Sequence, residues 1–172
     1  RYVVIWDNFI HDNGDVNASF DQDVHGVGVG AHTEHLWIID NEIARNSGDA
    51  VQLNAASLET TLNHVYIGRN HNHGNKQTGG GFKQCEDVIV SQNTIHNHRP
   101  GNSSSGSGCT CQYGPSRVWF LFNHIYDCES GIRVEDASGL ASAGPLYYLG
   151  NVIHNLTDTL EPHPDNSVWS RA

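Results

Sequence analysis

The sequence repeats a short unit along almost its whole length. Each copy has a run of four or five mostly apolar residues, then an Asn and a polar turn. An Ile lies two positions after the Asn in every copy but the third, where Asn72 takes that place. The anchoring residues of the six copies are Asn8, Asn41, Asn70, Asn93, Asn123 and Asn151. The steps between them are 33, 29, 23, 30 and 28 residues. A period of this length is typical of solenoid proteins, in which each repeat forms one coil.

The composition of each copy favours β-strands. The apolar runs, such as VVIW and VWFLF, are rich in β-branched and aromatic residues. A second short strand is predicted in most copies, in the segments 25–30, 49–54, 80–85, 108–112, 131–135 and 167–170. Strands this short cannot bury a face alone, so we expect equivalent strands to pair in parallel between stacked copies.

The anchoring Asn residues are predicted to form a ladder along one corner of the stack. Each side-chain amide can bond to the next copy and satisfy backbone groups that the sheets leave unpaired. A second, partial ladder is predicted at Asn13, Asn46 and Asn75, after which His98, Cys128 and Leu156 occupy the equivalent places.

These repeats resemble a known fold family. The N-x-I-x-x-N units, with SGIRVEDA (130–137) and GFKQCEDVIV (81–90), are similar to the right-handed parallel β-helix of the pectate-lyase-like superfamily. The resemblance covers nearly the entire chain and implies an all-β, right-handed parallel β-helix of about six coils, forming a single domain over residues 1–172. It implies no particular activity, because such repeats encode the coil and not the chemistry.

Both ends of the sequence lie within coil-like segments. We therefore expect the chain to be a mature or excised piece of a longer chain or assembly, or to pair end to end with another chain. Three N-x-S/T triplets, at Asn17, Asn102 and Asn155, permit glycosylation. We expect a secreted, extracellular or cell-surface protein.

Charge and hydropathy argue against several function classes. The net charge is −10 with His neutral, and the nine Lys and Arg residues are scattered. Nucleic-acid binding is not expected, because it needs a basic stripe. No membrane span is expected either, because no segment approaches the roughly 18 apolar residues required. The four Cys residues fit either one or two disulfides or small buried side chains.

The second strand of each copy carries the candidate site. If its apolar residues point inward, their alternate neighbours point outward. One outward column is then Gly28, Gln52, Lys83, Thr110 and Arg133, and the second is Gly30, Asn54, Gln112 and Glu135. Lys83 and Arg133 are predicted to lie two copies apart, roughly 10 Å, on one face. A slide of one residue in the Gly-rich third copy would instead turn Lys83 inward.

An exposed Lys and Arg on one face suit β-elimination from a uronic-acid polymer. One cation neutralises the carboxylate and acidifies the neighbouring C–H, and the other, or a nearby His, takes the proton. Parallel β-helix polysaccharide lyases are similar in this respect, so Lys83 and Arg133 are predicted to be catalytic. The predicted substrate-binding residues are Gln52, Asn54, Thr110, Gln112 and Glu135. The alternative is two solvated cations beside Glu86 and Glu135.

Two other functions remain open. Glycoside hydrolysis needs two carboxyl groups across a sugar, and Asp23, Asp49 and Glu135 could reach the same face. We rank it below the lyase, because no pair of copies shows a tight Asp cluster. A non-catalytic structural, adhesin or filament module is the alternative from a different class.

Two sets of residues are candidate metal ligands. The acidic loop offers oxygen ligands for Ca²⁺ at Asp12, Asp15, Asp21 and Asp23, but lacks the D-x-D-x-D-G pattern, so a solvated loop competes with this interpretation. Four His residues, His11, His73, His96 and His154, fall three residues after an anchoring Asn. His73 and His96 are predicted to be close enough to share a metal, although an exposed polar corner explains the spacing equally well.

Overall fold

The computed structural model describes residues 2–57, 59, 60, 62–102, 105–135, 143–157 and 168–171. In these residues the chain forms β-strands and no helix. The strands are β1 (Val3–Trp6), β2 (Phe9–His11), β3 (Val27–Val29), β4 (Thr33–Ile39), β5 (Glu42–Ala44), β6 (Val51–Asn54), β7 (Leu62–Gly68), β8 (His71–His73), β9 (Gly80–Lys83), β10 (Glu86–Ser91), β11 (Thr94–His96), β12 (Cys109–Gln112), β13 (Ser116–Leu121), β14 (His124–Tyr126), β15 (Ile132–Glu135), β16 (Leu146–Leu149), β17 (Val152–His154) and β18 (Val168–Arg171). Within the described part, no helix has the length and apolar character needed to cross a membrane.

Each strand pairs in parallel with the strand three places later in the chain, which produces three sheets of six strands. Sheet 1 has the order β1-β4-β7-β10-β13-β16, sheet 2 the order β2-β5-β8-β11-β14-β17, and sheet 3 the order β3-β6-β9-β12-β15-β18. The protein is therefore an all-β parallel solenoid with Asn ladders, as predicted. It makes about five turns, slightly fewer than the expected six, because six strands in a sheet are separated by five steps.

The core lies between the three sheets and runs continuously through the coils. Each sheet contributes inward-facing columns, for example Leu53, Phe82 and Cys111 of sheet 3, all at most 1% exposed. The corner between sheets 2 and 3 is tight. A Cβ atom at Gly79 would lie 2.3 Å from Ile95 Cγ2, and one at Gly108 would lie 2.4 Å from Ile125 Cγ2. Glycine at these positions lets the strand ends of sheet 3 approach the Ile column of sheet 2.

The main Asn ladder is confirmed over all six residues. At each step the Oδ1 atom of one Asn accepts hydrogen bonds from the backbone N and the Nδ2 of the Asn one coil earlier. For Asn93 Oδ1 the donors are the two nitrogens of Asn70, at 2.9 and 3.0 Å. The Nδ2 of Asn93 also donates to the Ile67 carbonyl at 3.0 Å. The buried amides thus satisfy backbone groups at the bend between sheets 1 and 2.

The residue before each ladder Asn adopts a left-handed backbone conformation. These residues are Asp7, Asp40, Arg69, Gln92, Phe122 and Gly150, with φ between 55 and 65°. Gly150 is the only one of the six that adopts this conformation without steric penalty, because it has no Cβ. The bend is therefore imposed by the ladder and the strand pairing rather than by local preference.

The second ladder is also confirmed and ends as expected. Asn46 Oδ1 accepts from the Nδ2 of Asn13 at 2.8 Å, and Asn75 Oδ1 accepts from that of Asn46 at 2.9 Å. In the next coil the place is taken by His98, which is 4% exposed. Burial lowers the pKa of His98 to about 3, although the backbone of Asn72 acts in the opposite direction.

All four cysteines are buried and none is in a disulfide. Cys109 and Cys111 occupy inward positions of β12, and Cys85 and Cys128 are 3% and 1% exposed. Of the two interpretations that the sequence allowed, disulfides are wrong and small buried side chains are correct. The reason is packing, because each thiol fills a place in the shared apolar core.

Candidate functional site

The outer face of sheet 3 carries two polar columns, and the register corrects one sequence prediction. Lys83 was expected in line with Gln52 and Thr110, but Gly81 occupies that place. Lys83 instead pairs with Asn54 and Gln112 in the second column. The strand is displaced by two residues because Phe82 aligns with the inward side chains of the neighbouring coils. A shift of two keeps Lys83 on the outer face, as a shift of one would not.

A small cavity opens on this face and brings most of the predicted residues together. Its volume is about 90 Å³, and its lining is Asp49, Thr78, Lys83, Ser105, Thr110, Gln112, Arg133 and Glu135. The two predicted catalytic residues therefore share one cavity with three of the five predicted binding residues. Gln52 and Asn54 lie outside the lining. Gln52 Nε2 donates to Asp49 Oδ2 at 3.0 Å, and Asn54 Oδ1 accepts from the Ala56 backbone at 2.9 Å.

The cations of the cavity have different partners. Arg133 forms an ion pair with Glu135, and Gln112 Nε2 donates to the other oxygen of the same carboxylate. Lys83 Nζ lies 5.9 Å from the centroid of the Tyr113 ring, within cation–π range. Glu86, a candidate neighbour of Lys83, pairs instead with Arg117 on sheet 1, at 2.7 Å.

Asp49 forms the inner wall of the cavity. Asp49 is 3% exposed, and its Oδ1 accepts from both the backbone N and the Oγ1 of Thr78, at 3.0 Å each. Its backbone N donates to His25 Nδ1 at 2.9 Å. A Cβ at Gly81 would come within 2.7 Å of Asp49 Oδ2. The absence of a side chain at Gly81 therefore leaves the room that the carboxylate occupies.

Thr78, Ser105 and Tyr113 are site residues that the sequence analysis did not identify. A signal existed for the first of them. The residue two positions before each described strand of sheet 3, up to β15, is polar: His25, Asp49, Thr78, Ser107 and Ser130. Within this column, Asp49 bonds to His25 and Thr78, and Ser107 Oγ lies 2.7 Å from Ser130 Oγ. Ser105 and Tyr113 follow no repeat.

The charges of the cavity balance. Lys83 and Arg133 supply two positive charges, and Asp49 and Glu135 supply two negative charges. The chain as a whole carries a net charge of −10. The cavity is thus a place where an anionic polymer meets less repulsion than the average surface would exert. Asp49 and Glu135, two of the three acids considered for glycoside hydrolysis, also share this lining, whereas Asp23 accepts a hydrogen bond from Gln77 elsewhere.

The acidic loop is held against later coils by a buried lysine. Lys76 is 5% exposed, and its Nζ donates to the carbonyls of Ala18 and Phe20 at 2.8 and 2.7 Å. It also lies 3.4 Å from Asp21 Oδ1, which accepts from the backbone N of Asn102 at 2.8 Å. The loop therefore packs across several coils instead of extending into solvent.

The four candidate calcium ligands of this loop contact different partners. Asp12 pairs with Arg45 at 2.8 Å, and the hydrogen bonds from Arg45 are the main cause that lowers the pKa of Asp12. Asp15 Oδ1 accepts from the backbone N of Asn17 at 2.9 Å, which closes a local turn. Asp21 contacts Lys76 and Asp23 contacts Gln77. A calcium site at this loop stays a prediction.

Comparison with known proteins supports the fold. No family model matches the sequence, and no curated protein matches it. Among solved structures, the chain is similar to the A-module of the mannuronan C-5 epimerase AlgE6 from Azotobacter vinelandii, with a TM-score of 0.57 and 15% sequence identity. The match covers 99% of this chain and 55% of that chain, so the chain spans about half the length of that structure. At this identity the similarity shows a shared parallel β-helix.

Proposed function

We propose that the outer face of sheet 3 acts on a polysaccharide that contains uronic acid, and that it cleaves the polymer by β-elimination. The observation that carries the proposal is the convergence of Lys83 and Arg133 on one polar cavity. Exposed cations usually diverge into solvent, whereas these two point into the same small space, beside two carboxylates.

The size of the cavity favours a polymer over a small ligand. Pockets that enclose small molecules have volumes of roughly 300 to 1,000 Å³. A cavity of about 90 Å³ holds only part of a sugar. The polar columns continue along the face through Gln52, Asn54, Thr110 and Gln112, with strands repeating about every 4.8 Å. Neighbouring sugars of a chain could therefore bind along the sheet while one of them enters the cavity.

The two cations have separable roles in the proposed reaction. Arginine stays protonated in proteins and matches a carboxylate with two parallel donors, so Arg133 neutralises the uronate carboxylate. Lys83 must first release its own proton to solvent, and its neutral amine then removes the hydrogen from the carbon beside that carboxylate. The electron pair of the broken C–H bond forms the new double bond as the glycosidic oxygen leaves. The leaving oxygen takes a proton from water or from the Lys83 ammonium and departs as a hydroxyl group.

Epimerisation is the second candidate activity, and the structural similarity favours it. The name of the similar structure places its chemistry at C-5 of mannuronan, the carbon that carries the carboxylate in a uronic acid. Removal of the same hydrogen followed by delivery of a proton from water to the opposite face would invert the sugar without cleaving the chain. Both activities share the first step and hence the same two cations. Either would fit a secreted or cell-surface location.

The test is a panel of uronic-acid polymers incubated with the protein. β-Elimination produces an unsaturated sugar that absorbs in the ultraviolet, and proton abstraction alone exchanges the C-5 hydrogen with deuterium from D₂O, which NMR detects. We expect Lys83→Gln and Arg133→Gln to lower either rate by about 10² to 10⁴-fold, as for loss of a general base or a charge-stabilising group.

Arg117→Gln is the matched control, because Arg117 is an exposed cation of sheet 1 that pairs with Asp87 and Glu86. It should retain the full rate. If no polymer yields product or exchange, or if the Lys83 and Arg133 variants match the control, the face is not catalytic. A filament or surface module is then the better description.

A further inference from the structure

The outer face of sheet 2 carries an unusual concentration of histidines. The strands of this sheet have only three residues, so their first and third side chains face outward. The first column contains Phe9, Glu42, His71, Thr94, His124 and Val152, and the third contains His11, Ala44, His73, His96, Tyr126 and His154. Coil stacking therefore places one carboxylate and several imidazoles on one flat surface.

Three of these side chains converge. His73 Nε2 lies 3.1 Å from Glu42 Oε1 of the neighbouring strand. One ligand atom from each of Glu42, His71 and His73 lies within 4.8 Å of the other two. Within the described residues, this is the one group of three His, Cys, Asp or Glu side chains with such geometry. Ligand atoms that each lie about 2.0–2.2 Å from one ion can be separated by up to about twice that distance, so the three atoms are close to the spacing that one ion requires.

A fourth imidazole adjoins the group. His96 Nε2 lies 2.8 Å from His71 Nε2, and the rings of His73 and His96 are stacked 5.2 Å apart. Two ring nitrogens 2.8 Å apart cannot both carry a proton, so the Nε2 atom of either His71 or His96 has a free lone pair. Neutral imidazole is the form that binds metals.

Arg45 pairs with a different carboxylate and leaves that of Glu42 accessible. Arg45 directs its Nε and Nη2 to the two oxygens of Asp12, both at 2.8 Å. Glu42 itself is exposed, and its Oε1 faces His73. The one negative charge of the group thus adjoins the imidazoles, where a cation would be held.

We propose that Glu42, His71 and His73 bind a divalent transition-metal ion across strands β5 and β8. Two imidazoles and one carboxylate suit borderline ions such as Zn²⁺, Co²⁺ and Ni²⁺, whereas Ca²⁺ and Mg²⁺ prefer oxygen ligands. Three protein ligands leave a further coordination position. The ion would link two coils through their side chains and stabilise the folded state, because the site does not exist in the unfolded chain.

The same face contains a matched control pair. His124 Nε2 lies 2.9 Å from His154 Nε2, close to the His71–His96 separation. Among the described residues, this pair is not part of a group of three potential ligands. A surface that bound metal only through abundant histidine would use both pairs equally. A specific metal site requires the Glu42 carboxylate together with His71 and His73 of β8.

The experiment is calorimetric titration of the tag-free protein with ZnCl₂, and optical titration with Co²⁺, whose absorption reports nitrogen coordination. We expect one ion per chain, and an increase in thermal unfolding temperature with Zn²⁺. Glu42→Gln, His71→Gln and His73→Gln should each weaken binding by at least about tenfold, and His124→Gln should not. Circular dichroism and the metal-free unfolding temperature check that each variant is folded.

Two results would overturn the proposal. One is the absence of saturable Zn²⁺ binding. The other is equal weakening by His124→Gln and by the three site variants, which would indicate adventitious binding to the histidine face. Neither depends on catalysis, because the proposed polysaccharide site lies on sheet 3. Failure of one proposal therefore leaves the other intact.

Discussion

The buried thiols make the stability of this protein depend on pH. Cys85 is 3% exposed, and burial is the largest cause that raises its pKa from 9.0 to about 12. Burial likewise raises the pKa of Cys128 to about 11. Each thiol stays protonated in the folded core under conditions in which it would ionise in the unfolded chain.

Alkaline pH is therefore expected to destabilise the fold through these residues. Below pH 9 the Cys85 thiol is protonated in both states, and its contribution is constant. Above pH 9 the unfolded chain releases a proton that the folded chain retains, so the free energy of unfolding falls by up to about 1.4 kcal/mol per pH unit for this residue. The loss continues until the folded thiol ionises near pH 12.

Urea unfolding of the wild type and of Cys85→Ala between pH 8 and pH 10.5 measures this effect. The variant should be less stable at pH 8 but lose stability less steeply above pH 9. Val51→Ala, a core truncation without an ionisable group at a residue that is 0% exposed, should parallel the wild type. Parallel slopes for wild type and Cys85→Ala would refute the assignment.

At the level of elements, the Asn ladder holds the bend between sheets 1 and 2. A ladder residue in the middle is bonded on both sides, because it accepts from the coil before and donates to the coil after. Asn93 accepts from Asn70 and donates to Asn123 and to the Ile67 carbonyl. Asn8 is exposed and donates to Asn41 and to its own coil. Position in the ladder should decide the energetic contribution.

Truncation at these two positions tests that expectation. Asn93→Ala leaves buried backbone donors and acceptors unpaired, so we expect a loss of about 3 kcal/mol or more in the free energy of unfolding. Asn8→Ala should reduce it by about 1 kcal/mol or less, since water can replace the lost partners. Equilibrium urea unfolding of both variants gives the comparison. Equal losses would show that the ladder does not act as a connected element.

Sheet 3 shows the limit of local pattern at this scale. The alternation of side chains correctly predicted that Lys83 faces outward. The alternation did not predict which outward column contains Lys83. The run from Gly79 to Gly81 has no side chains, so two alignments that differ by two residues look the same in the sequence. Pairing of Phe82 with Leu53 and Cys111 determined the alignment. This pairing is a property of the stacked coils.

On the scale of the whole molecule, each coil contacts its neighbours and the core is continuous. The four thiols occupy this core in the third to fifth coils, from Cys85 to Cys128. A thiol reagent can reach them only when coils separate. Labelling therefore reports opening of the solenoid.

We expect the native protein to react with a disulfide reagent at least about a thousandfold more slowly than the protein in 8 M urea, given the rarity of open states in stable domains. All four thiols should become reactive in the urea-unfolded protein. Mass spectrometry of partly labelled samples identifies which thiols become accessible in the same opening event. Rapid reaction of any thiol in the native protein would contradict the buried core.

Much of this protein follows from periodicity alone. The six Asn positions predicted both the parallel solenoid and its ladders, because a repeated local pattern must recur at equivalent places in stacked coils. The same periodicity placed His73 and His96 in one column and Gln112 and Glu135 in another. Alternation within a strand determined which side chains face outward. These features depend on the order of residues along one coil.

The tertiary structure decided which side chains of different coils meet. Only stacking brings Glu42 to His73, sets Asp49 in the gap left by Gly81, and directs Lys83 and Arg133 into one cavity. It also decided that the cysteines fill the core as free thiols. The physical reason is that the repeat determines the face of each side chain, whereas the alignment of neighbouring coils depends on how their buried residues pack together.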